Sequence, residues 1–518
     1  MNIARFLSST ATHYPHATAV EYGQLRVNYR DLNARVDALV AAFNAAGLTP
    51  GDRVGFVMWN RPELLEVMFA AYRAGMCTVP LNARFNVDEL VYHCLDSAVA
   101  LLVHGPEFGA LVTAAATQLP TVHTVFAIGE AATVPHATVA AYETVLATHQ
   151  GAPERTVDVN EDTPAWLFYT SGTTGRPKGA TLTHKNLSFV TLSWITDLMA
   201  LSPADTTLHA APLTHGAGFH ALAATAKGAR QVIPTSVGFD AEEILAFMER
   251  EHVTNTWMVP TQINRLVDAP SSHVRNLTAL HTIVYGGAPF HVEDLKLAIS
   301  VFGPKFVQVY AQGETPMTAT YLPHAEHVLG DAEVEGRLAS AGYERTGMEV
   351  RIVDDTYAQC HAGELGEIVV RGPAVMLGYW NRPQDTAAAI QNGWLHTGDI
   401  GMMDANGYVF VLDRMKDLII TGGANVYARE VEELLLTHEQ IAAVAVIGLS
   451  DRDWGERVTA IVVTEVGATL QAADVIAYAG AHLASYKRPK QVEFVDELPL
   501  SAYGKVLKRE LRTQFSTR

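Results

Sequence analysis

The sequence predicts an α/β protein: a large N-terminal domain of parallel-type α/β subdomains plus a small β-rich subdomain, followed by a small α+β C-terminal domain. Three observations carry this reading. Through the first half, helical periodicity alternates with short apolar runs of strand length, the rhythm of helices covering parallel sheets. After about Glu333 the texture turns to short strand-like runs separated by Gly and Asp. Beyond Arg414, helices and strands mix over about a hundred residues, the size of one compact domain. The division is therefore drawn between 1–414 and 415–518, and 518 residues exceed what one hydrophobic core holds.

In DLNARVDALVAAFNAAG, the apolar Leu32, Val36, Leu39, Val40 and Phe43 fall on one helical face. Gly47 suits the position just past the helix end, where left-handed backbone is common. RVGFVM (Arg53 to Met58) follows as a strand, and Pro62 fits the first position of a helix that ends at Gly75. TVPL, a helix from about Val87, and ALLVH repeat the alternation. AWLFY (Ala165 to Tyr169) reads as a buried strand, and HTIV as another. EVRIVD, GEIVVRG and YVFVLD supply the β-rich subdomain. The last unit has a helix around Glu430 to Leu436, strands AAVAVIGL and RVTAIVV, a helix from Ala472 to Leu483, and a strand QVEFV.

Hydrophobic residues at 48% and charged ones at 18% describe an ordinary globular protein. A net charge of -18 argues against nucleic acid or an anionic membrane as the main partner. A phosphate site in such a chain must gather its own cations, for which Lys178, Arg414, Lys416 and Lys505 are candidates. Cys77, Cys94 and Cys360 are widely spaced, without metal or redox spacing, and read as reduced, buried thiols. The N-terminus lacks a secretory pattern, no apolar run is long enough to span a membrane, and no peroxisomal address ends the chain. A cytoplasmic protein with no carrier domain fused downstream is expected.

The most telling segment is YTSGTTGRPKG, Tyr169 to Gly179. Its glycines let backbone approach an anion closely. Successive N–H groups and the hydroxyls of Thr170, Ser171, Thr173 and Thr174 can surround phosphate oxygens, with Lys178 adding a point charge. It is not a Walker loop, since no G-x-x-x-x-G-K-[ST] string is present. Further segments follow: PLTHGAG, YGGAP, QVYAQGE, WLHTGDIG, DRMKDLIITGGANVYAREVEE, DRDWGERV, SYKRPK and ELPLSAYGKVLKRELR.

Together these resemble the adenylate-forming superfamily, which includes acyl-CoA synthetases, aryl-CoA ligases, peptide-synthetase adenylation domains and firefly-type luciferases. The matches run from Asn82 to Lys505 in the family's order. The resemblance implies an ATP site of Thr170, Ser171, Gly172, Thr173, Thr174 and Lys178 for phosphates, and Gly286, Gly287, Ala288, Pro289, Gln308 and Tyr310 for adenine. It gives Asp399, expected in a tight turn, and Arg414 the ribose, and Glu314 a bridging Mg2+. The commoner family string is Tyr-Gly-x-Thr-Glu; here Ala311 and Gly313 replace Gly and Thr, so a hydroxyl contact to the α-phosphate is missing. Lys416 becomes the hinge of a mobile C-terminal domain and Lys505 the catalytic lysine, in an expected flexible surface loop. Lys178, His215 and Glu314 join Lys505 as the catalytic set.

His215, Ala217, Gly286 and Met317 are implied for the acid pocket, His215 as gate and wall; the small Ala217 and Gly218 are expected to leave room for more than acetate. Arg84, Gly422, Gly423, Trp454, Tyr486, Arg488 and Lys490 are implied for CoA, the two glycines leaving room for the pantetheine arm. The expected activity is that of an AMP-forming acid–CoA ligase using ATP, Mg2+ and CoA on a fatty or aryl acid. The alternative is an enzyme that loads an acyl carrier protein instead. GAGFH after His215 lacks the Asp that amino-acid-activating relatives use, which argues against amino acids. A non-catalytic nucleotide sensor is disfavoured because Lys178, Glu314, Asp399, Arg414 and Lys505 are all present. The expected partners are the small acid and CoA, and oligomeric state is open, a homodimer included.

Overall fold

A computed structural model describes residues 1–170, 176–500 and 506–516, and of Lys416 the backbone alone. The alternating elements form where the periodicity places them. Helix Tyr29–Ala45 buries Leu32, Val36, Leu39, Val40 and Phe43, and the chain turns at Gly47 with φ 86°. Strand Arg53–Val57 leads to helix Pro62–Arg73, which opens on its proline and is followed by Gly75 at φ 67°. Helix Val87–Asp96 starts with a capping box between Asn86 and Glu89, satisfying two otherwise orphaned N–H groups.

Two large sheets share the N-terminal body. In the eight-stranded sheet, Arg53–Val57 lies between Cys77–Leu81 and Val99–His104, all parallel. In the nine-stranded sheet, Thr206–Leu208, Asn255–Met258, Thr282–Gly286 and Phe306–Tyr310 run parallel in that order. The parallel reading holds for both interiors and for the edge strand Thr138–Ala141; the other margins are antiparallel. Strand Pro164–Thr170 pairs antiparallel with Lys178–Thr183, and Thr320–Leu322 with both Phe306–Tyr310 and Tyr343–Glu344. Connection length accounts for most of this: interior neighbours are joined through crossover helices, whereas the short loops leading into Lys178–Thr183 and Thr320–Leu322 permit only antiparallel return.

Helix Pro62–Arg73 is buried along its whole length, as expected for an element packed among other layers. Its last residue, Arg73, is paired with Asp37. A third, antiparallel sheet gathers Glu349–Val353, Gly366–Arg371, Trp394–Met403 and Val409–Arg414. A fourth contains only later strands, Ile419–Thr421, Ala424–Val426, Ile441–Asp451, Gly455–Thr464 and Gln491–Phe494, and has its own apolar clusters. The helix Ala428–Leu436 beside it meets the third sheet where Arg429 Nη1 donates to Val411 O at 2.8 Å. Cys77 and Cys94 are buried, their thiols pushed up to about 12 by burial, but Cys360 is only partly covered. Cys360 lies at the margin of the third sheet, against the main core but only half-buried, which corrects the expectation for it.

Candidate active site

The parallel strands Thr282–Gly286 and Phe306–Tyr310 end at the same edge, where open α/β sheets bind ligands. The third sheet closes over that edge. Asp399 is 2% exposed, and Tyr310 donates to it at 2.7 Å and Gln312 at 2.9 Å. Arg414 Nε lies 2.6 Å from its other oxygen. Asp399 and Arg414 are register partners on neighbouring strands, so the backbone ladder itself sets their encounter. Asp399 therefore sits inside the ten-residue strand Trp394–Met403, not in a tight turn; the left-handed Gly398 beside it, φ 66°, is a local irregularity within that strand. Burial and the Asp399 charge hold the Tyr310 phenol well above its usual range, keeping it a neutral donor. For Arg414, burial pulls downward, but Asp399, Tyr310 and Glu314 outweigh it and the guanidinium stays charged.

Glu314 is 6% exposed. Its Oε1 accepts from Thr170 Oγ1 at 2.8 Å and from the Tyr379 hydroxyl at 2.7 Å. Thr170 arrives at the end of Pro164–Thr170, and Tyr379 on the two-residue strand Gly378–Tyr379, which pairs with Thr181 and Ala180. Lys178 lies over the Tyr379 ring, 5.3 Å from its centre, and its Nζ is 2.6 Å from Asp385. The cation expected for phosphate is thus held by a carboxylate in this arrangement. Gly313 has a packing reason: a Cβ there would come within 2.4 Å of Thr170 Cγ2 and 2.6 Å of Phe168, so the threonine of the commoner string does not fit. Ser171, Gly172, Thr173, Thr174, Lys505 and the Lys416 side chain lie outside the described residues.

In YGGAP, Gly286 ends its strand, and a Cβ there would meet Val309 O at 2.3 Å. The neighbouring strand alone therefore demands glycine there. Gly287 takes φ 80° and is exposed with Pro289, while Ala288 is half-buried. Behind them Tyr285 hydroxyl pairs with His327 Nε2 at 3.0 Å and reaches Gln308 at 3.5 Å, the other His327 nitrogen bonding Pro323 O.

His215 precedes helix Gly216–Lys227, its ring 4.6 Å from that of Phe168 and its Nδ1 3.2 Å from Thr214 O. Ala217 is buried. A Cβ on Gly216 would fall 2.1 Å from Met317 Cε and 2.6 Å from Trp257, so indole and thioether already fill that side. The space beside Gly218 is likewise taken, by Leu213 O and Trp166, which corrects the expectation that this glycine enlarges the pocket.

On the C-terminal sheet, Gly422 gives its room to Trp454, whose ring a Cβ would approach to 2.9 Å; Gly423 faces open space. Trp454 carries Lys490 Nζ at 2.8 Å from its ring centre, and burial lowers the pKa of that ammonium. Tyr486 is exposed and Arg488 is half-buried near Gly480. Arg84 is exposed in the loop after Cys77–Leu81, and among the described residues no hydrogen bond or ion pair joins it to this face.

Sequence reasoning missed Gln312, Tyr379, Asp385, Phe168 and Trp257. Gln312 was within reach, since it stands inside QVYAQGE. The others reach the site through strand pairing and packing, which leave no local pattern.

Two family models cover most of the chain: AMP-binding enzyme over residues 7–380 and AMP-binding enzyme C-terminal domain over 430–505. A feruloyl-CoA synthase of an Amycolatopsis species is 38% identical, covering 97% of this chain and 96% of that protein. The medium/long-chain-fatty-acid–CoA ligase FadD8 of Mycobacterium tuberculosis is 33% identical, covering 95% and 86%. Among solved structures, ATP-bound MatB from Rhodopseudomonas palustris superposes with a TM-score of 0.88 at 32% identity, covering 100% of this chain and 99% of that one. With its motifs in order and both models matched, the chain belongs to the AMP-binding enzyme family.

Proposed function

We propose that this protein is an AMP-forming acid–CoA ligase acting on an aryl or fatty acid. The observation that carries the reading is the pairing of two buried carboxylates with neutral donors: Asp399 with Tyr310 and Gln312, and Glu314 with Thr170 and Tyr379. Each is oriented before any ligand arrives, which is what a charge-stabilising site requires. Asp399 and Arg414 suit the ribose hydroxyls. Glu314 fits a hard cation: its Oε1 is held by two hydroxyls, leaving Oε2 to reach toward a ligand. Among the described residues no cluster of three His, Cys, Asp or Glu could hold a metal alone, so Glu314 would hold such an ion together with groups from outside the protein, phosphate and water. Bound Mg2+ would neutralise triphosphate charge.

In the first step a carboxylate oxygen of the acid forms a bond to the α-phosphorus of ATP, and the bond to pyrophosphate breaks. Lys505 is assigned to the charge building on the reacting oxygens. Lys178 exchanges Asp385 for pyrophosphate oxygens. In the second step the CoA sulfur, having lost its proton, bonds to the acyl carbon and AMP leaves. Between steps the part beyond residue 414 turns about Lys416, bringing Gly423, Trp454, Tyr486, Arg488 and Lys490 to CoA. The proposed compartment is the cytoplasm, which supplies both ATP and CoA. Pyrophosphate release across a panel of aryl and fatty acids, with thioester formation from CoA, tests the reading. Lys505→Ala should lower acid-dependent pyrophosphate release about 10²–10³-fold. Adenylate accumulating with CoA present, but no thioester, would transfer the proposal to a carrier-protein acceptor.

A further inference from the structure

Arg345 is 1% exposed, and its guanidinium does two things. Nε pairs with Asp197 Oδ2 at 3.1 Å, and Nη1 donates to the backbone carbonyl of Met317 at 2.8 Å. The Asp197 side chain is also buried, in the π-helical turn Trp194–Leu198, and also accepts from Ser193 Oγ at 3.0 Å and the Thr346 N–H at 3.2 Å. The Arg345 N–H itself donates to Ala319 O at 3.0 Å. One side chain thus ties together the turn, the segment after Glu314 and the entry to strand Glu349–Val353.

A buried ion pair is a costly way to staple a core, since apolar residues of similar volume often do as well. Its third partner suggests a different use. Met317 has φ 54°, a left-handed backbone that residues bearing a Cβ adopt only when their surroundings enforce it. The Met317 carbonyl is what Arg345 holds. That backbone aims the thioether at Gly216, the residue after His215, beside the Trp257 ring.

We infer that Arg345, anchored by Asp197, is a positioning residue for acid selectivity: it holds Met317 so that its side chain closes one wall of the pocket and limits the size of acid accepted. The inference rests on the proposed acid pocket of His215, Ala217 and Met317. It needs no contact between Arg345 and the acid.

The test compares kcat/KM for a small and a bulky acid in each variant, with the KM for ATP measured alongside. Met317→Ala should raise the bulky-to-small ratio by roughly tenfold or more, the scale of one or more methylenes in an apolar pocket. Arg345→Lys keeps a positive charge against Asp197 but lacks the planar fork that also reaches the Met317 carbonyl. It should move the ratio the same way by several-fold, with the KM for ATP unchanged. The double variant Arg345→Met/Asp197→Leu, which leaves neither charge unpaired, should do the same. If Met317→Ala shifts the ratio while Arg345→Lys lowers both acids equally or leaves the ratio alone, Arg345 is merely structural and the inference fails. If Met317→Ala leaves the ratio untouched while acid-dependent pyrophosphate release persists, the pocket assignment and the inference fall together.

Discussion

The candidate nucleotide edge of the N-terminal body and the face of the C-terminal sheet are built in opposite ways. At the first, Asp399 and Glu314 are buried and already oriented by donors from three sheets. At the second, Trp454 and Tyr486 stand 44% and 37% exposed, with Lys490 lying on the Trp454 ring. Groups that must stabilise charge need orienting in advance and shielding from water. Groups that only guide a long flexible ligand can remain open until a second surface arrives. Substitutions at the two places should therefore differ in size and in which half of the reaction they touch.

The largest effect is expected at Asp399. Asp399→Ala removes hydrogen bonds to a charged group and leaves Arg414 without its partner, a loss of about 2–3 kcal/mol. The KM for ATP should rise by one to two orders of magnitude, read from pyrophosphate release. A change under twofold would mean the buried carboxylate is scaffold and the contrast is false.

Next comes pH. Burial lowers His327 from 6.5 to about 3, so the unfolded chain takes up its proton first on acidification. Its contribution to stability is complete above 6.5 and is lost as pH falls towards 3, at about 1.4 kcal/mol per pH unit. Urea unfolding at pH 7, 6 and 5 should show His327→Gln losing less stability over that range than the parent. Equal slopes would exclude His327 as the acid-sensitive support behind Tyr285 and Gln308.

Tyr379→Phe should cost about 1 kcal/mol, one of the two hydroxyls on Glu314. The apparent Mg2+ requirement should rise roughly fivefold while the KM for the acid stays put. Smallest is Trp454→Ala, worth about 0.5–1 kcal/mol at an exposed site. It should raise the KM for CoA a few-fold and leave adenylate formation unchanged in a CoA-free assay. An equal effect on both half-reactions would erase the distinction between the two faces.

Much of this was legible in residue order, because the elements follow local periodicity and the motifs carry their own chemistry. What escaped had non-local causes. Asp399 was expected in a turn since Thr-Gly-Asp is turn chemistry, but pairing with Gly366–Arg371 and Val409–Arg414 drew it into a strand. Tyr379 lies 65 positions from Glu314 and meets it only because two residues pair with the edge of Lys178–Thr183. Gly313 reads as a missing hydroxyl in the sequence; in the fold it is the gap that Phe168 and Thr170 occupy. Arg345 gives no signal at all until Asp197, 148 positions away, is brought beside it.

Arg414 ends the last strand of the third sheet, and a single 3-10 turn, Met415–Asp417, separates it from the first strand of the fourth. If the lobe beyond it turns as proposed, Arg414 would be the jamb of that turn, a cation clamped by Asp399 on the neighbouring strand. Occupancy of the ribose position and freedom of the lobe would then be mechanically linked through one residue, so tight AMP retention and slow lobe return should be found together.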